Sequence, residues 1–281
     1  MSGAPDLEPR PIAVERDGMT LAGESAGEGP AIVLLHGLTA NRRYVLHGSR
    51  YLPRHGHRTI AYDARGHGAS DPAPEGAGYT YEELAADLRT VLDAVVGNGR
   101  CVLAGASMGA HTIAAHALGG DDRLAGVVLI GPAFTGAALG EEDMERWDRL
   151  AAGLERGGAE GFVDAFVDDL DPRWRETQLR IARDRLGVHE HPEAVARALR
   201  EVPRSRPFEH LAELEFLELP ALVVASRDEA DPEHPYAVAE AWAERLPQGR
   251  LVSEPQDASP LAWQGGRLSR EIAGFCEHLE L

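Results

Sequence analysis

A mostly parallel β-sheet covered by helices on both faces, carrying a helical insertion, is the α/β fold class that the sequence predicts, and three observations predict it. Short apolar runs alternate with amphipathic helical patterns along most of the 281 residues, as in a sheet built from strand–helix–strand units. One such run leads into the pentapeptide Gly105-Ala106-Ser107-Met108-Gly109, a serine placed on a sharp strand-to-helix turn. Between about residues 135 and 203 the strands lapse and only helical patterns occur.

The elements follow in order. Residues 12–15 and 19–23 are polar-flanked strand candidates, and 31–35 is continuously apolar, as a strand buried on both faces must be. A strand over 58–62 precedes a helix over 80–96, opened by a Thr80-x-x-Glu83 capping box and carrying Leu84, Leu88, Val91, Leu92 and Val95 on one face. A strand over 100–104, a helix over 107–118 and a strand over 125–130 come next. In the helical stretch Met144, Trp147, Leu150 and Leu154 form one stripe; Phe162, Val163, Phe166, Val167 and Leu170 form another, broken at Asp171-Pro172. Two further helices are expected over about 174–186 and 192–202. The alternation then resumes with a strand over 221–225, a helix over 235–246, a strand over 250–253 and a closing helix over 268–279. An insertion at the carboxyl end of a strand overhangs the region where open α/β sheets bind ligands. The expected division is therefore a core of 1–134 and 204–281 and a helical cap or lid of 135–203, the alternative being helices that only pack.

Composition narrows the partners. Lys and Arg number 28 against 46 Asp and Glu, a net charge of -18, which disfavours nucleic acid and anionic membrane surfaces. No apolar run approaches the roughly 20 residues that span a bilayer, and the first residues lack a basic start followed by an apolar stretch. A cytoplasmic protein is expected. Cys101 and Cys276 suggest neither a disulfide framework nor a metal site. No dinucleotide or P-loop motif is present, so no metal or organic cofactor is expected.

Four ordered motifs carry a family resemblance: Leu34-Leu35-His36-Gly37-Leu38; Asp63-Ala64-Arg65-Gly66-His67-Gly68-Ala69-Ser70; the pentapeptide around Ser107; and the apolar run 221–225 with the acidic loop behind it. Along nearly its whole length the chain resembles the α/β-hydrolase superfamily. The resemblance implies Ser107 as nucleophile and an oxyanion hole made by the backbone N–H groups of Leu38 and Met108. A serine there disfavours the branches that attack through a carboxylate. His36, His67 and His111 are expected to shape loops and pack.

The resemblance also implies a histidine after the last strand, but Pro255-Gln256-Asp257-Ala258-Ser259-Pro260 places Ala258 there. Without a base, a serine hydroxyl is a poor nucleophile at neutral pH. The acidic loop Asp228-Glu229-Ala230-Asp231-Pro232-Glu233-His234 offers a rearranged triad of Ser107, His234 as base and Asp231, or else Asp228 or Glu229, as its orienting acid. His234 as a plain capping or surface residue is the rival reading, and His189 or His191 reaching down from the insertion is a further one. The leading expectation is a serine hydrolase acting on a small carboxylic ester. A non-hydrolytic ligand-binding protein, or a cofactor-independent lyase, is the alternative that the missing histidine favours. Oligomeric state stays open.

Overall fold

The computed structural model describes residues 7–228, 230–255 and 263–281. Eight strands form one sheet in the order β1-β2-β4-β3-β5-β6-β7-β8: β1 (Arg10–Arg16), β2 (Met19–Ala26), β3 (Ala31–Leu35), β4 (Arg58–Tyr62), β5 (Cys101–Ala106), β6 (Leu124–Ile130), β7 (Ala221–Val224) and β8 (Gly249–Val252). The β1–β2 and β2–β4 pairs are antiparallel and the others parallel. Asp17 and Gly18, both at positive φ (52° and 79°), make the two-residue turn of the β1–β2 hairpin. Strand β2, next to the edge strand β1, alternates between buried and half-buried residues over Met19–Gly23, whereas all five residues of the central β3 are buried.

The helices are α1 (Tyr51–Arg54), α2 (Tyr81–Val95), α3 (Met108–Leu118), α4 (Glu141–Phe166), α5 (Arg175–Leu186), α6 (Pro192–Glu201), α7 (Tyr236–Arg245) and α8 (Gly265–Cys276). Strand side chains alternate between two apolar layers. Val33, Leu35, Leu103, Val127 and Val223 meet α2, α3 and α7 through Leu88, Ile113 and Trp242. Ile32, Leu34, Val102, Val128 and Leu222 meet α1 and α8 through Leu52, Leu268, Ile272 and Phe275. Cys101 and Cys276 are buried and carry free thiols.

Three local expectations are corrected. Thr80 caps α2 through a bond from the Glu83 N–H (3.3 Å), but the Glu83 carboxylate is drawn to Arg16 and Arg65 at 2.9 Å each and does not close the capping box. The short α1 falls in a stretch where no helix is expected. The stretch α4 is two helical limbs, one for each stripe, joined where Gly157 and Gly158 leave helical geometry, and the second limb ends at Phe166, short of Val167 and Leu170. Its limbs return so closely that a Cβ on Gly153 would stand 2.4 Å from the Gly161 carbonyl oxygen.

Helices α4, α5 and α6 share an apolar cluster of Leu150, Leu154, Phe162, Ala182, Val195 and Leu199. A second cluster joins them to the sheet: Ala194, Ala198 and Val202 pack with Tyr79, Tyr81, Leu84 and Met108.

Beneath that joint lies a buried charge network. Arg65, 1 % exposed, grips Asp87 through Nε–Oδ2 and Nη2–Oδ1 bonds of 2.7 Å each and reaches the Gly78 carbonyl at 2.7 Å. Arg16 adds a second cation to Asp87. Asp87→Ala leaves the buried Arg65 with only the half-buried Glu83 carboxylate as counter-charge and is expected to cost about 3 kcal/mol in urea unfolding; unchanged stability would contradict a structural role for the pair.

Candidate active site

Ser107 stands between β5 and α3 and sits at φ 51°, ψ -113°, a strained conformation for a residue with a Cβ. Its N–H donates to the Ile130 carbonyl (2.9 Å) and its carbonyl accepts from the His111 N–H (3.0 Å), which fixes the turn from both sides. The flanking glycines are required by contact. A Cβ on Gly105 would stand 2.5 Å from the Gly109 carbonyl, and one on Gly109 would stand 2.3 Å from the Leu35 carbonyl oxygen. Met108 opens α3, so its N–H has no acceptor within the helix.

The turn after β3 comes down beside this elbow. A Cβ on Gly37 would lie 3.3 Å from both the Ala106 carbonyl oxygen and the Ser107 Cβ. The Ala40 N–H closes the turn onto the Gly37 carbonyl (3.1 Å), with Thr39 at φ 70°, an expensive conformation for a β-branched residue. The buried His36 supports it: Nδ1–H donates to the Gly37 carbonyl (2.8 Å) and Nε2 accepts from the Ala64 N–H (2.9 Å). His67 donates from Nδ1 to the Arg65 carbonyl (2.9 Å).

His234 comes to the same edge of the sheet. Gly131, the residue after β6, donates to the Val224 carbonyl (2.8 Å), and a Cβ there would meet the His234 ring at 3.4 Å. His234 Nδ1 lies 2.9 and 2.8 Å from the two Asp231 carboxylate oxygens, the geometry of an N–H donor held by a carboxylate. Burial by itself pulls the imidazole pKa down, but the hydrogen bond and negative charge of Asp231 outweigh it and hold His234 above the ordinary 6.5. Burial likewise pushes Asp231 up, and its bond from His234 brings it below the usual carboxylate value. Asp228 accepts from the Ala230 N–H at 2.8 Å, and Glu229 lies outside the described residues, as does Ala258.

The other histidines are occupied elsewhere. Burial, with help from the nearby His234, drives His111 down to about 3. Its Nε2 accepts from the Ala133 and Phe134 N–H groups (2.9 and 3.2 Å), and Nδ1–H donates to the Tyr81 hydroxyl (2.9 Å). It thereby anchors the loop against which His234 rests. His189 does reach the core from the turn between α5 and α6, but both ring nitrogens are spent there. Nδ1 accepts from the Gly68 N–H (2.8 Å) and Nε2–H donates to the Thr39 carbonyl (2.9 Å). His191 stands beside Glu193.

Two further residues escape the sequence reading. Glu254, 3 % exposed, accepts from the Ser226 hydroxyl (2.8 Å) and the Arg227 N–H (2.5 Å), pinning the root of the acidic loop. No motif flags it; its only signal is its place just after β8. Arg185 of α5 lies over the Tyr44 ring, 5.6 Å from its centroid. Above the Gly37–Ala40 turn, Leu38 packs with Trp147, Phe166 and Leu179 against the α4–α6 cluster. Arg146 pairs with Glu233 at 2.7 Å and Gln178 donates to the Ala230 carbonyl, so the helical segment is tied to the His234 loop as well. Among the described residues no group of three or more potential metal ligands is gathered, and no helix is long and apolar enough to cross a membrane.

Comparison with known proteins bears on the fold and family. Residues 30–258 match the family model described as alpha/beta hydrolase fold. RutD of Variovorax paradoxus (strain S110), to which carbamate hydrolysis is attributed, is 32% identical over 207 residues, 72% of this chain and 75% of RutD. An esterase from Thermogutta terrifontis superposes with a TM-score of 0.76 at 26% identity, covering 95% of this chain and 98% of the esterase. The enol-lactonase from Burkholderia xenovorans LB400 gives 0.70 at 25% identity, covering 95% and 97%.

His189 makes the tie between the helical segment and the strained turn testable. Burial lowers its pKa below 6.5, against the opposing pull of the Thr39 bond. A proton on Nδ1 would face the Gly68 N–H, so the unprotonated ring is the one that binds. The stabilisation is whole above pH 6.5 and drains as pH falls below that value toward the depressed folded value. Protection against hydrogen exchange, taken relative to the intrinsic rate at each pH, should fall together in peptides covering 36–44 and 186–192 on acidification, and His189→Gln should flatten that acid response. Acid-insensitive protection in the parent would contradict the linkage.

Proposed function

The chain belongs to the alpha/beta hydrolase family, and within it we propose a serine hydrolase that cleaves a small carboxylic ester through an acyl-enzyme on Ser107, with His234 as base and Asp231 as its orienting acid. The observation that carries this reading is the Asp231–His234 pair, hydrogen-bonded at 2.8 Å, at the same sheet edge as a serine held at φ 51°.

In the proposed mechanism His234 Nε2 takes the Ser107 hydroxyl proton as Oγ bonds to the ester carbonyl carbon. Asp231 holds Nδ1–H, fixes the tautomer and stabilises the imidazolium that forms. The tetrahedral oxyanion takes hydrogen bonds from the Leu38 and Met108 N–H groups, each such donor contributing roughly 3 kcal/mol to the transition state. The C–O bond to the alcohol breaks as His234 returns the proton to the leaving oxygen. A water molecule, deprotonated by the same ring, then releases the acid and restores Ser107. The segment 135–203 serves as a cap, with Trp147, Phe166 and Leu179 as an apolar ceiling over Leu38. The esterase and lactonase among the structural neighbours support acyl-transfer chemistry at such a site.

A second reading is favoured by one feature, Ala258 at the usual histidine position: a ligand-binding protein, or a cofactor-independent lyase, that keeps the pocket without hydrolysis. Short-chain nitrophenyl ester turnover and fluorophosphonate labelling separate the two. Under the leading reading the parent turns over, and Ser107→Ala and His234→Ala each lose at least about 100-fold in kcat without unfolding. A parent that neither labels nor turns over, joined to a gain of activity in Ala258→His, would establish the second.

The pH profile gives an independent check. A base must be neutral, and His234 is held above 6.5, so kcat/KM should rise with pH through a midpoint above that value. Asp231→Asn removes the stabilising charge and should move the residual midpoint to lower pH. An unmoved midpoint would exclude the pair as the titrating unit.

A further inference from the structure

Arg185 occupies an unusual setting. It sits near the end of α5, seven residues after Gln178, whose side chain donates to the Ala230 carbonyl at the root of the Asp231–His234 loop. Positions seven apart share a helix face, so the helix lays Arg185 toward the same side of the site. Its guanidinium lies over the Tyr44 ring, 5.6 Å from the centroid, and Tyr44 in turn meets His47 edge-on at 6.3 Å.

A cation–π contact uses the face of a guanidinium and leaves its in-plane N–H donors available. The Arg185 Nε is buried with no hydrogen-bond partner. Among the described residues no carboxylate pairs with this guanidinium, although Arg146, Arg183 and Arg200 of the same helical segment each hold one. Asp231 lies close enough to act on the Arg185 charge, but both of its oxygens face His234. An Nε shielded from solvent without a hydrogen-bond partner is costly, and a planar carboxylate is the group that an Arg fork fits.

We propose that Arg185 is a specificity determinant: it receives a carboxylate on the substrate, so that the preferred esters are monoesters of short dicarboxylic acids or esters of similar anionic form. The proposal rests on the ester-hydrolase reading for its substrate class, and on the unpartnered Arg185 Nε alone for its charge preference. A net charge of -18 repels anions over the surface as a whole. Any preference for an anionic ester must therefore arise locally.

The test has a kinetic and a binding arm. Ethanol release from ethyl hydrogen succinate, glutarate and adipate is compared with release from the corresponding neutral ester amides, in the parent, Arg185→Met and Arg185→Lys. The parent should favour one or more of the anions by at least about ten-fold in kcat/KM, the value expected for one charge-assisted bidentate contact. Arg185→Met should bring that ratio to one or below, and Arg185→Lys should retain part of it. In calorimetry the free dicarboxylates should bind the parent and Ser107→Ala proteins, and not Arg185→Met. Arg185-dependent dicarboxylate binding with no turnover of any ester would retain the anion site and overturn the ester reading. Ester turnover with equal preference in parent and Arg185→Met, and no dicarboxylate binding, would overturn the anion site and make Arg185 a counter-charge for Asp231.

Discussion

Close backbone approach at Gly105 and Gly109 is the constraint on which the rest of the site depends. Any side chain at Gly109 would collide with the carbonyl end of β3, and any at Gly105 with the start of α3. Their absence lets β3, β5 and α3 converge, and Ser107 is driven into its left-handed conformation where they meet. The same convergence brings Gly37 within contact of Ser107, so the turn bearing Leu38 and the helix start bearing Met108 arrive together. The strain persists because hydrogen bonds from β6 and α3 hold the serine backbone from both sides.

Around that point the protein separates its histidines by environment. His36, His67 and His111 are buried and His189 half-buried; all four lie below the ordinary histidine pKa and tie loops together. His234 is raised, because it alone of this group has a carboxylate on its ring nitrogen. One imidazole is thereby prepared to hold a proton, while its neighbours act as neutral hydrogen-bonding struts. The helical segment joins the arrangement at three places: His189 at Thr39, Gln178 at Ala230 and Arg146 at Glu233. Each lies on a loop that carries part of the proposed machinery.

Much of the fold was legible because it rests on local signals. The continuous apolar run of β3, the Gly-x-Ser-x-Gly turn and the strand–helix alternation each follow from short-range pattern. The two limbs of α4 were legible as two stripes, but the end of the second at Phe166 was hidden because Val167 and Leu170 continue the apolar spacing. Glu83 left the capping box because Arg16 and Arg65, distant in sequence, compete for its carboxylate. The acidic loop offers Asp228, Glu229 and Asp231 close together in sequence, and only the three-dimensional placement of His234 shows Asp231 on its Nδ1. Glu254 and Arg185 were invisible, since nothing near either in sequence says that one would be buried under a loop and the other laid across Tyr44.

The most direct measurement is a crystal structure of the protein after reaction with a nitrophenyl alkylphosphonate, whose tetrahedral phosphorus stands in for the acyl intermediate. The account predicts a bond from phosphorus to Ser107 Oγ. It also predicts a phosphonyl oxygen about 2.7–3.1 Å from the Leu38 and Met108 nitrogens, with His234 Nε2 facing the alkoxy oxygen and Nδ1 still on Asp231. Phosphorus on another residue, an oxygen turned away from those two amides, or an imidazole other than His234 at the leaving group would contradict it.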